Sequence, residues 1–134
     1  MRLDVHIEEV FPHPVESVWS ALTDAKALSD WLMQTSDFRP VVGTRFRLKT
    51  EGLAADGWVK AEVTELDPPR RMVWTWTLDD PDAPTTVTFE LTPEAGGTRL
   101  TLTHLGEIDA RAGGLIRDGW ALKMHDLRRT LDRA

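Results

Sequence analysis

The segment TRLTLTH, residues 98–104, alternates Leu100 and Leu102 with Thr101 and Thr103 and leaves His104 in parity with the leucines. That parity turns the imidazole inward, at the end of a predicted strand. Such a His can act as general acid or base near neutral pH. Glu107 and Asp109 follow in the loop GEID, and a carboxylate that orients an imidazole is what acid–base chemistry needs. His104, Glu107 and Asp109 are therefore the candidate catalytic set. The competing reading is a histidine satisfied by a backbone group, with ordinary loop carboxylates beside it.

A second constellation lies in MVWTWTL, residues 72–78. The chain has six Trp and no Tyr, and two of those Trp stand two residues apart. On a strand Met72, Trp74, Trp76 and Leu78 share one face. Facing them across the interior would be the stripe Trp120, Met124 and Leu127, with Phe46, Val87, Phe89, Leu100 and Leu102 completing the wall. Large aromatics dominate filled cores. They also stack on planar ligands, and Trp adds an N–H donor. Both readings stand, and the candidate ligand-binding residues are Phe46, Trp74, Trp76, Phe89, Leu102, Trp120, Met124 and Leu127.

Other chemistries lack their residues. There is no cysteine, so disulfides, thiolate metal sites and a cysteine nucleophile are excluded. His6, His13 and His125 are scattered without HxH or HExxH spacing, and neither a metal nor a cofactor is expected. Asp79, Asp80 and Asp82 make a small acidic loop, but Pro81 and Pro84 interrupt it and no EF-hand spacing exists. EAGG and AGG precede no P-loop lysine, and no serine has a nucleophile-elbow context. Arg45, Arg47, Lys49 and Glu51 read as a solvated strand face. With a local change of register, Arg45 would meet a ligand carboxylate.

The elements that position these residues follow from periodicity. The chain has 134 residues, 41% hydrophobic and 28% charged, which fits one domain over residues 1–134. Its net charge of −6 argues against a nucleic-acid partner. No window reaches the roughly 20 apolar residues of a membrane helix, and the charged N-terminus offers no secretory apolar run. A cytoplasmic protein is expected. LDVHIEEVF alternates as a half-buried strand, and PHPVESVWSALTDAKALSDWLM carries two short amphipathic helices with Pro14 in the first turn of the first. Strand signals then run from about Arg45 to His104, broken by a DPPR turn and by EAGG. After GEIDARAGG, read as a loop, the period changes to 3.6. Ile116, Trp120, Leu127 and Leu131 mark a long helix from Leu115. The pattern predicts a twisted antiparallel sheet with that helix across its concave face.

The blocks FPHPVESVWSALTDAKALSDWL, VVGTRFRL, AEVTELDPPRRMVWTW and TFELTPEAGGTRLTLTHLG, with GW…L near the end, carry a further signal. Together, over about residues 5–131, they resemble the activator-of-heat-shock-chaperone-ATPase-like branch of the START-related (SRPBCC) superfamily, which also holds polyketide cyclases, lipid-transfer proteins and the birch-pollen allergen. The resemblance implies an α+β helix-grip fold, a curved antiparallel sheet wrapped around a long C-terminal helix, with two short helices after the first strand. It implies an apolar or amphipathic small molecule, lipid- or polyketide-like, held between sheet and helix. The alternatives are a cyclase- or dehydratase-type enzyme using His104 with a loop carboxylate, and an interaction module for a chaperone or regulator. The namesake co-chaperone carries a further N-terminal domain, whereas this chain opens directly on its first strand. Pairing through an exposed edge strand would give a weak homodimer, which no residue pattern specifies.

Overall fold

The computed structural model describes residues 1–78 and 83–133. The acidic loop of Asp79, Asp80 and Asp82 lies outside the described residues. Ten elements follow one another: β1 (Arg2–Phe11), α1 (Val15–Thr23), α2 (Ala25–Trp31), β2 (Thr35–Ser36), β3 (Arg45–Lys49), β4 (Trp58–Asp67), β5 (Arg71–Thr77), β6 (Thr85–Glu94), β7 (Gly97–Glu107) and α3 (Ala110–Arg133). This is the α+β helix-grip architecture, with a curved seven-stranded sheet, a long C-terminal helix and two short helices after the first strand.

The sheet order is β1-β7-β6-β5-β4-β3-β2, and every neighbouring pair is antiparallel. From β2 to β7, strands adjacent in sequence pair directly. β1 adds itself beside β7, and α1 and α2 occupy the crossover. The alternation read from sequence appears as burial. Val87, Phe89 and Leu91 of β6 are buried, as are Leu100, Leu102 and His104 of β7. They pack with Ile116, Trp120, Met124, Leu127 and Leu131 of α3 in one continuous core.

Three boundaries differ from the sequence reading. β2 is two residues long, too short to leave a periodic trace. Pro14 serves as the N-cap of α1, with extended backbone, rather than lying inside its first turn. The segment read as a loop after His104 is largely regular. β7 continues to Glu107, and α3 starts at Ala110, five residues before Leu115. Gly113 and Gly114 suggested a break because glycine is a poor helix former. Here the Asp109 side chain accepts from the Ala112 N–H at 2.9 Å and its carbonyl from the Gly113 N–H at 2.9 Å, which starts the helix ahead of them.

Candidate functional site

His104 is wholly buried, not placed at an open end of the grip. The Trp120 indole donates to His104 Nδ1 at 2.9 Å, and His104 Nε2 lies 2.7 Å from Thr85 Oγ1. An indole N–H can only donate, so Nδ1 must accept and the proton must sit on Nε2. Nε2–H then donates to Thr85, whose hydroxyl donates onward to the Trp76 carbonyl at 3.1 Å. Every donor in this relay meets an acceptor. Burial pushes the imidazole down from 6.5 to about 3, so His104 is neutral at physiological pH.

The expected pairing of His104 with a carboxylate does not form. Glu107 ends β7 beside Arg2 at 3.8 Å and the N-terminal ammonium at 3.9 Å. Asp109 is spent capping α3. The reason is strand parity: Glu107 is an odd number of residues beyond His104 and leaves on the other side of the ribbon, and Asp109 lies past the strand end.

The aromatic residues form a connected cluster. Phe46 meets Trp74 at 5.0 Å between ring centres, Trp74 meets Phe89 at 4.9 Å, and Phe89 meets Trp120 at 6.1 Å, all edge to face. Phe38, absent from the sequence-based set, adds an edge contact to Phe46 at 4.9 Å. Trp76 lies 5.9 Å from Trp120 and 5.1 Å from His104. Phe46, Trp74, Phe89, Leu102, Met124 and Leu127 thus fill the centre of the grip, and Trp74 reaches Trp120 only through Phe89.

A cavity of about 270 Å³ remains at one end of this core. Of the eight expected lining residues, only Trp76 and Trp120 border it. Leu32 and Met33 after α2, Thr50, Glu51 and Leu53 after β3, and Leu115, Ile116, Gly119 and Lys123 of α3 complete the wall. Lys49 also borders it, yet its ammonium stands over the Trp58 ring at 5.7 Å. The rim segment is tied down at both ends. Thr50 N–H donates to the Gly57 carbonyl at 2.9 Å, and Arg111 of α3 donates to the Gly52 carbonyl at 2.8 Å. A smaller cavity of about 130 Å³, also bordered by Trp76, is lined by Thr85, Glu107, Ile108 and Asp109. Trp76 borders both and is only 3% exposed, and its Nε1–H has no hydrogen-bond partner among the described residues. Trp74 Nε1–H is likewise unpartnered, but inside the filled centre.

Sequence reasoning missed Thr85, Gly119, Lys123 and the rim. Thr85 could have been found from strand parity with Val87 and Phe89. The rim residues carry no periodicity and become neighbours of α3 only in the fold. Among the described residues no group of His, Asp and Glu could hold a metal ion, and no helix is long and apolar enough to cross a membrane.

A helix-grip chain with a small, mostly apolar cavity beside its long helix defines the class of protein. The family model described as Activator of Hsp90 ATPase homolog 1-like protein matches residues 12–132, and the chain belongs to that family. Among solved structures, protein MLL2253 from Mesorhizobium loti is 35% identical with a TM-score of 0.86, the alignment covering 98% of each chain. CalU16 from Micromonospora echinospora is 25% identical with a TM-score of 0.77, over 96% of this chain and 75% of its own. DynU16, a protein in the dynemicin biosynthetic locus, is 23% identical with a TM-score of 0.81, over 97% of this chain and 47% of its own, and shares the fold. No curated protein matches the chain.

Proposed function

We propose that this chain, a single domain over residues 1–134 acting in the cytoplasm, binds an apolar or amphipathic small molecule in the cavity between α3, the end of α2 and the rim after β3. The observation that carries the reading is a cavity of about 270 Å³ with mostly apolar walls that include the indoles of Trp76 and Trp120. A bound apolar molecule covers that wall and removes it from water, which is favourable in proportion to the apolar area buried.

The enzymatic alternative has less support. His104 borders neither cavity, both its nitrogens are engaged, and burial holds it neutral. Native mass spectrometry of the protein purified from its source tests the binding reading. A co-purifying small molecule released on denaturation is the expected result. A bare chain, together with unchanged tryptophan fluorescence across a panel of apolar compounds, sinks it.

A further inference from the structure

We propose that the ligand of this cavity is a compact organic acid, a ring-sized apolar body bearing an anionic oxygen, in place of a long-chain lipid; this rests on the binding reading above. Size gives the first constraint. About 270 Å³ falls just short of the roughly 300–1,000 Å³ of sites for drug-sized ligands, leaving room for one or two fused rings. Two indoles, Trp76 and Trp120, supply flat surfaces for such a body.

Gly119 gives the second constraint. It sits inside α3, where glycine is a poorer helix former than alanine, yet a Cβ added there would meet nothing within 4 Å. Close packing within the protein does not demand the missing side chain. The space it leaves borders the cavity, so a ligand there can lie close against the α3 backbone.

The polar groups give the third. Lys123 borders the cavity half-buried, without an ion pair among the described residues. Of the other charges there, Lys49 is engaged by Trp58, and Glu51 is exposed, where water screens it. A carboxylate is the counter-ion that Lys123 lacks there.

The test titrates the full chain, labelled with ¹⁵N, with 2-naphthoate, its neutral amide and palmitate, following the six indole N–H signals. Trp76→Phe assigns the relevant one. The expected result is saturable binding of 2-naphthoate that shifts the Trp76 signal. Lys123→Met should weaken 2-naphthoate at least tenfold and leave the amide unaffected. Gly119→Leu should abolish binding. Gly119→Ala, which the fold accommodates freely, should raise the melting temperature while weakening binding. Tighter binding of palmitate than of 2-naphthoate, or indifference to Lys123→Met, overturns the proposal yet leaves a cavity ligand standing. Binding of all three probes unaltered by Gly119→Leu removes the cavity reading itself. No response to 2-naphthoate also overturns the proposal, and the mass spectrometry above then decides the wider reading separately.

Discussion

At His104, one donor-only neighbour fixes the protonation of the whole relay, and acid must break it. The unfolded chain takes up a proton below about 6.5, whereas the buried ring resists until about 3. Stability from this residue is therefore complete above pH 6.5 and is lost as pH falls towards 3. Between pH 7.5 and 5 the loss should be about 2 kcal/mol. Urea titrations at the two pH values measure it. His104→Gln, which keeps an acceptor and a donor but does not titrate, should flatten the difference; an unchanged slope would show that other groups carry it. Thr85→Val tests the same relay without touching the imidazole. It strips the acceptor from His104 Nε2–H, leaves the Trp76 carbonyl without that hydroxyl, and should cost about 1–3 kcal/mol in the same assay.

At the scale of elements, α3 depends on its start. Asp109 caps a helix whose fourth and fifth residues are both glycine, so the cap works where intrinsic propensity is weakest. Asp109→Ala should cost about 1 kcal/mol, with hydrogen exchange accelerated first at residues 110–114; uniform acceleration along α3 would contradict this. The helix also marks where sequence reasoning reached and where it stopped. The alternation of Leu100, Leu102 and His104 and the stripe through Trp120 and Leu131 gave the strands, their inward faces and the fold. The start of α3 was hidden because a cap and two glycines read locally as a loop. The cavity was hidden for another reason. Facing aromatics mark an interior but not its density, and packing placed Trp74, Phe89 and Met124 in a filled centre. The vacancy depends on Gly119 and on a rim whose neighbours in space are distant in sequence.

At the scale of the molecule, two arginines on the outer surface reach across most of the sheet. Arg71 of β5 binds Glu65 of β4 and Glu90 of β6, each at 2.9 Å. Arg99 of β7 binds Glu94 of β6 and, at 3.2 Å, Glu8 of β1. Five adjacent strands from β4 to β1 are thereby linked. These groups are exposed enough for water to weaken them, so Arg71→Met or Arg99→Met should each lower the urea midpoint only slightly. Repeating the denaturation in 1 M salt should shrink that cost further. A loss that persists in high salt would point to packing of the arginine stems.

A single side chain, Trp76, borders both hollows. Trp76→Val would enlarge the space they offer by the volume of the lost indole, at a cost in stability. Such a variant should accept a medium-length fatty acid that the parent chain excludes, which calorimetric titration with dodecanoate would register.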